Sequence, residues 1–170
     1  QGIFALIDEV LAQSHIDKRR LEALGATHIE VFGNLKTLNT PCVSTHYTKP
    51  SMPLFIGAST HRGEERLILE SFKTFKEQSP TTLLLLAPRH PERFKEAYDL
   101  SMSFFSRTAL FSQTHLESCE QYDVIVIDTL GELNNLYAIS DVVILGGSFT
   151  TNVGGHNPLE PAFFGTRLIS

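Results

Sequence analysis

The chain alternates short apolar runs with longer amphipathic ones and keeps that rhythm to its last residues. Residues 54–58, 82–87, 124–127, 142–145 and 167–169 are brief strand-like runs, and the Val and Ile of 124–127 show no polar alternation. Strands without a polar face suit a parallel sheet covered on both sides. Segments of helical period lie between them. Residues 63–78 set Leu67, Ile68, Phe72 and Phe75 on one helical face. Residues 91–99 carry proline in the first turn, and 133–139 and 158–164 read as two further short helices. Upstream, 7–12 is a short apolar run, 16–24 is a charged helix stopped at Gly25, and 28–32 is β-rich and ends at Gly33-Asn34. Residues 38–51 hold Asn, Thr, Ser and two prolines with little apolar periodicity, and read as a loop or interdomain linker.

This alternation predicts an α/β fold, a Rossmann-like doubly wound parallel sheet with right-handed crossovers. Ligands in such sheets sit at the carboxyl ends of the strands. Residues 1–37 are expected to close a preceding domain, 38–51 to link, and 52–170 to form the nucleotide-binding domain. The chain opens at Gln1 and stops at Ser170 directly after a strand-like run, so it reads as a piece of a longer protein.

Composition narrows the function. With 14 Lys and Arg against 19 Asp and Glu, and no basic block, a nucleic-acid footprint is not expected. The 170 residues are 42% hydrophobic, enough for one sizeable core. No run reaches the ~18 apolar residues of a membrane span, and no signal-peptide pattern opens the chain. Cys42 and Cys119 stand in unrelated contexts and the seven histidines in no ligand spacing, so neither a disulfide framework nor a zinc site is indicated. A reducing cytosol is the natural compartment.

Several segments follow predicted strands closely and should meet at one edge of the sheet. In Ala87-Pro88-Arg89-His90-Pro91-Glu92-Arg93, Pro91 starts a helix with His90 near its cap. Arg89 stands at the strand tip, either as a surface arginine in a turn or as a fork for a phosphate or base edge. In Asp128-Thr129-Leu130-Gly131-Glu132-Leu133, Thr129 and Glu132 fit a capping box, which accounts for both without a ligand. The same geometry offers free amides of Leu130, Gly131 and Glu132 to an anion. Two Gly-Gly pairs then flank a short loop, Gly146-Gly147-Ser148 and Gly154-Gly155-His156-Asn157-Pro158-Leu159-Glu160-Pro161. Asn157 as N-cap, Pro158 at N1 and Glu160 at N3 make a well-formed helix start. Glycine pairs are harder to explain by capping and suit backbone that takes positive φ or passes close to a ligand. Glu160 stands where it could accept from vicinal ribose hydroxyls. Ser59 and Thr60, in the loop closing another strand, are N-cap candidates that could also touch a phosphate or sugar. No Gly-x-Gly-x-x-Gly fingerprint, Walker loop or Gly-x-Ser-x-Gly elbow is present, which argues against a dehydrogenase, an ATPase or an α/β hydrolase.

These segments, with 33–36 (Gly-Asn-Leu-Lys) and Ser59-Thr60-His61 before Gly63-Glu64, occur in an order that resembles the C-terminal half of Kdo (3-deoxy-D-manno-octulosonic acid) transferases of lipopolysaccharide synthesis. The resemblance spans nearly the whole chain. It implies a GT-B glycosyltransferase, two Rossmann-like domains facing across a cleft, the C-terminal one holding the CMP-Kdo donor. By resemblance Pro88 and Arg89 would meet the CMP moiety and the backbone of Leu130, Gly131, Glu132 and Leu133 its phosphate. Asn157 and Glu160 would approach the phosphate and ribose. Ser59, Thr60, Gly154, Gly155 and His156 are further candidates for the same site. The general base, the surface facing the lipid A precursor and a membrane anchor would belong to an N-terminal half outside these residues. The whole protein would then work at the cytoplasmic face of the inner membrane. Neither a cofactor nor a metal is expected beyond the donor itself. Three readings compete: a UDP-sugar-dependent GT-B transferase or epimerase, a non-catalytic nucleotide-binding module, and a purely structural domain whose glycines serve turns.

Overall fold

The computed structural model describes residues 3–34, 40–150 and 153–170, which fall into two compact units spanning 1–40 and 41–170. Leu35 and Lys36 of the 33–36 segment and residues 37–39 of the expected boundary lie outside the described residues.

The smaller unit is a β-α-β turn of chain. Strands β1 (Val10–Ala12) and β2 (Ile29–Val31) pair in parallel, with helix α1 (His15–Ala23) between them in sequence. Both helix ends follow from their residues. Ser14 Oγ accepts the amide of Asp17 at 3.1 Å. At the other end Gly25, with φ of 96°, donates to the Glu22 carbonyl while Ala26 reaches back to Leu21, a Schellman pattern.

The larger unit carries a six-stranded all-parallel sheet. Its strands are β3 (Leu54–Thr60), β4 (Leu83–Pro88), β5 (Thr108–Leu110), β6 (Val124–Val126), β7 (Val142–Leu145) and β8 (Arg167–Ile169), ordered β5-β6-β4-β3-β7-β8. Strand β4 shows why its sequence lacks polar residues. Leu83 and Leu85 pack on one face with Leu54, Ile56 and Ile125, whereas Leu84 and Leu86 pack on the other with Ile68, Leu69 and Phe72. The second face is covered by helices α2 (Glu64–Lys76) and α3 (Phe94–Phe104), and α3 follows a 3-10 turn at Pro91–Arg93. Shorter pieces cover the first face: Leu116 and Cys119 of a 3-10 segment, and Leu136 and Tyr137 of helix α4 (Leu133–Tyr137). Residues 41–53 form no regular element but lie on this unit. Ser44 and Thr45 donate to Asn135 Oδ1, and the Tyr47 ring meets Phe111 edge-on at 5.8 Å.

Some expectations shift. On α2 the buried apolar residues are Ile68, Leu69 and Phe72, while Leu67 and Phe75 are largely exposed. The helical face is thus rotated by part of a turn. Predicted helix 91–99 is longer, continuing to Phe104. Strand β5, three residues on the sheet edge, escaped the sequence pattern because so short a run has no period to detect.

Candidate functional site

Successive connections carry the chain from β3 to β4, out to the edge strand β5 and back to β6, then across β4 and β3 to β7 and β8. The order therefore reverses between β3 and β7, and sheets of this kind hold ligands near such a reversal, beyond the carboxyl ends of their strands. Four chain segments reach this edge.

Strand β3 ends in a bulge. Ala58 pairs with Ala87 and Thr60 with Pro88, leaving Ser59 as the extra residue, with φ of 53°. A non-glycine residue in that region is uncommon and concentrates at functional sites. Gly146, at the end of β7, passes directly beneath. A Cβ there would stand 2.5 Å from the Ser59 carbonyl oxygen and 2.8 Å from Thr60 Cα. Glycine at 146 is therefore required by close approach, and at 147, 154 and 155 by φ of 82°, 83° and 79°. Gly155 donates to the Gly147 carbonyl at 2.8 Å, closing the loop whose residues 151 and 152 lie outside the described set.

A cavity of about 120 Å³ opens at the ends of β3, β4 and β6, lined by Ser59, Pro88, Arg89, Thr129, Leu130, Gly131, Glu132 and Leu133 among others. The structure thus gathers Ser59, Pro88 and Arg89 with the 130–133 turn. Arg89 is exposed and makes no ion pair among the described residues. A larger depression of about 420 Å³ lies at the opposite ends of the strands, between Pro53, Thr81 and Tyr122. Size is a poor guide here, because the loops that turn chemistry toward a ligand are at the carboxyl edge.

The capping box is not formed. Helix α4 starts at Leu133 with Glu132 as its cap residue, and the Glu132 carboxylate accepts instead from Tyr47 Oη at 3.0 Å and Asn135 Nδ2 at 2.9 Å. Burial and that carboxylate push the Tyr47 phenol up to about 12. Thr129 Oγ1 is left buried without a hydrogen bond among the described residues. Local spacing proposed the box, but a tyrosine 85 positions away in sequence competes for the glutamate.

Asn157 and Glu160 do not line the cavity. Helix α5 runs Leu159–Phe163 with Pro158 as cap residue, one position later than the sequence suggested, and Asn157 Oδ1 accepts the Leu159 amide at 3.1 Å. Glu160 is exposed at the start of α5, and its charge reaches Tyr137, whose phenol is raised chiefly by burial. His156 is likewise outside the lining but lies close enough to Arg89 to feel its charge. Burial lowers its pKa first, His61 and Arg89 lower it further, and Glu64 and the Ser59 backbone partly oppose them.

Two residues that carry the site were missed by sequence reasoning. Glu64 is 1% exposed, and its carboxylate accepts the amides of His61 at 2.8 Å, Gly147 at 2.8 and 2.9 Å, and Phe149 at 3.1 Å. It fastens the Gly-Gly loop after β7 to the loop after β3. Glu65, fully buried beside it, accepts both guanidinium ends of Arg93 at 2.6 and 3.2 Å and the Thr60 hydroxyl at 2.9 Å. The signal was available: one helical turn before Ile68 and Leu69 stand Glu64 and Glu65, on the same buried face. Thr60, assigned to ligand or cap, is wholly buried and serves this network. Among the described residues no group of three or more His, Cys, Asp or Glu side chains could hold a metal ion, and no helix is long and apolar enough to cross a membrane.

Comparisons with known proteins converge on one family. The chain is 37% identical to a 3-deoxy-D-manno-octulosonic acid transferase of Haemophilus influenzae, over all of this chain and 42% of that protein. It is 33% identical to the protein of that name from Aquifex aeolicus, over 95% of this chain and 43% of that one. Among solved structures it is similar to the C-terminal CMP-Kdo binding domain of WaaA from Acinetobacter baumannii. That likeness has TM-score 0.64 and 32% identity, and covers 69% of this chain and 60% of that one. No protein-family model matches. The parallel sheet with its loop-lined carboxyl edge is that of the C-terminal domain of a GT-B glycosyltransferase. The chain spans about two fifths of the length of the curated relatives it matches. It belongs to the Kdo transferase family.

Proposed function

We propose that this chain binds the CMP-Kdo donor at the carboxyl edge of its six-stranded sheet, and that the whole protein transfers Kdo to a lipid A precursor. The observation that carries the reading is the shared cavity of Arg89, Ser59 and the turn through Gly131, at the edge where such sheets receive nucleotides. The similar Acinetobacter domain is a CMP-Kdo binding domain, which supports this choice of donor. The nucleotide would enter between Pro88-Arg89 and residues 130–133, with Arg89 as its fork and Leu130, largely exposed at the mouth, as an apolar wall. Asn157 and Glu160, beyond the cavity wall, would be reached by the ribose end of the ligand.

In the transfer the bond between the anomeric carbon of Kdo and the CMP phosphate oxygen breaks while charge grows on that phosphate. CMP leaves as a phosphate monoester anion, so no group need protonate it. Arg89 and the main-chain amides of the 130–133 turn would stabilise the charge as it appears. The acceptor hydroxyl would lose its proton to a carboxylate in the N-terminal half of the whole protein, which would also carry the membrane anchor and set the enzyme at the cytoplasmic face of the inner membrane. No cofactor is invoked.

Titration calorimetry with CMP and UDP tests the reading. CMP is expected to bind and UDP to bind at least tenfold more weakly, and Arg89→Ala is expected to cost the bidentate contact, about 2 kcal/mol or a ~30-fold weaker Kd. Preference for UDP would support a UDP-sugar enzyme instead. Equal CMP affinity in Arg89→Ala would remove the site from this edge.

A further inference from the structure

The cavity accounts for Ser59, Arg89 and the 129–133 turn but leaves a second cluster beside it without a role. His61 follows β3, His90 follows Arg89 after β4, and His156 leads into α5. The His61 and His156 rings are stacked within 10° of parallel, centroids 5.0 Å apart, and their Nε2 atoms face each other at 2.8 Å. His90 stands edge-on to His61 at 5.6 Å. A methyl group at Gly147 would meet the His156 ring at 3.0 Å, so the glycine loop packs directly against the pair.

An Nε2-to-Nε2 contact is a hydrogen bond only when one nitrogen carries a proton and the other offers its lone pair. Two imidazolium rings would set two N–H groups against each other. The pair in this arrangement therefore holds at most one positive charge. Its charged neighbours are Arg89 from the end of β4 and Glu64 from the start of α2, with His90 on the far edge of His61. Glu64 is already committed, both oxygens accepting main-chain amides. Arg89 adds like charge and has no acid partner among the described residues. Burial is the main reason the His156 pKa is lowered, and the positive neighbours add to it. An oxygen accepting from both Nε2 atoms at once requires both to carry protons, and the second positive charge this brings is balanced by a ligand oxygen that is itself anionic.

We infer that His61 and His156 form an oxyanion site of the donor pocket that takes up a proton when it is filled. The rings move apart from their 2.8 Å contact, an oxygen of the ligand replaces the Nε2–Nε2 hydrogen bond, the ring that had offered its lone pair gains a proton from solvent, and both rings become donors. No covalent bond is made or broken. This rests on the donor reading above. It extends that reading by naming a pair that reads charge, and by tying donor affinity to pH. A nucleotide-linked ulosonic acid offers two such oxyanions, its phosphate and its sugar carboxylate, and the pair's chemistry suits either.

The test is calorimetric titration of the chain with cytidine, CMP and CMP-Kdo, each in two buffers of different ionisation enthalpy, which yields the protons taken up per ligand. Uptake approaching about one proton is expected with an oxyanion-bearing ligand, and affinity should fall by up to ~tenfold per pH unit above the histidine range. The phosphate monoester of CMP itself titrates near pH ~6, so uptake is read as wild type minus His61→Gln and wild type minus His156→Gln. His90→Gln is expected to keep the uptake. Uptake already present with CMP assigns the pair to the phosphate, and uptake confined to CMP-Kdo assigns it to the carboxylate. Should a variant fail to fold, CMP-Kdo, whose phosphodiester does not titrate, decides the matter with wild type alone. Binding of CMP and CMP-Kdo without proton uptake overturns the inference and leaves the donor site standing. Equal uptake with cytidine overturns it as well, and failure of CMP to bind at all overturns both.

Discussion

Glu64 offers the most exposed test of how the site is built. Its carboxylate is buried and accepts three main-chain amides from two loops, the second of them 83 residues further along the chain. Replacing it with alanine removes every acceptor and leaves those amides buried and unpaired. Hydrogen bonds to a charged group contribute ~1.5–3 kcal/mol each, and orphaned donors cost ~1–3 kcal/mol. The three are not additive, since water can enter the space, so the expected loss is ~3–5 kcal/mol, comparable to breaking a buried ion pair from one side. At ~2–4 °C per kcal/mol for a chain of this size, Glu64→Ala should melt roughly 6–20 °C lower. Glu64→Gln keeps the shape but turns an NH₂ toward amide donors, and should lose part of that. Amide hydrogen exchange gives the local reading, because Gly147 and Phe149 should lose protection in Glu64→Ala before β4 does. A melting temperature within ~2 °C of wild type, with those two amides still protected, would refute the claim that this carboxylate ties the loops together.

Three further variants test the close approach at β3 and the charge cluster at the opposite end of the sheet. Gly146→Ala drives a Cβ into the Ser59 carbonyl and Thr60 backbone and should destabilise the fold by about 1–3 kcal/mol or more in denaturant titration. Gly154→Ala, which meets open space but keeps a φ of 83°, should cost nearer ~1–2 kcal/mol, so equal effects would contradict the close-approach account. Asp123 is raised by burial but lowered more by hydrogen bonds from Arg107, at 2.6 and 3.0 Å, and from Lys76, so its net pKa is depressed in the folded chain. A depressed carboxylate stabilises the fold above its unfolded pKa of ~3.9 and loses that contribution as pH falls through the folded value. Melting followed down from neutral pH should therefore decline more shallowly below pH ~4 in Asp123→Asn than in wild type, and parallel curves would show that the pair contributes nothing.

Much of this molecule was fixed locally. Residues Leu83 to Leu86 had to be buried on both faces, because a period of two sends adjacent leucines to opposite sides and no polar residue marks either as outer. Gly25 had to end α1, and the segments after β3, β4, β6 and β7 had to reach one edge, because parallel strands all finish on the same side. Pattern and cap chemistry act over a few positions, which is why they can be read directly.

What the pattern could not decide is which strands become neighbours. Placing β7 against β3 brings Gly146 under Ser59, hands the loop amides to Glu64 and stacks His156 on His61. Pairing β6 with β4 puts Arg89 and Gly131 around one cavity, while Glu160, which follows β7, stays outside its lining. A locally plausible capping box is lost where Tyr47, from the segment before β3, arrives to claim Glu132. Those outcomes depend on contacts between residues dozens of positions apart, whose energies are settled only when the whole sheet closes. Periodicity supplies the edge of the sheet, and packing selects the residues that meet on it.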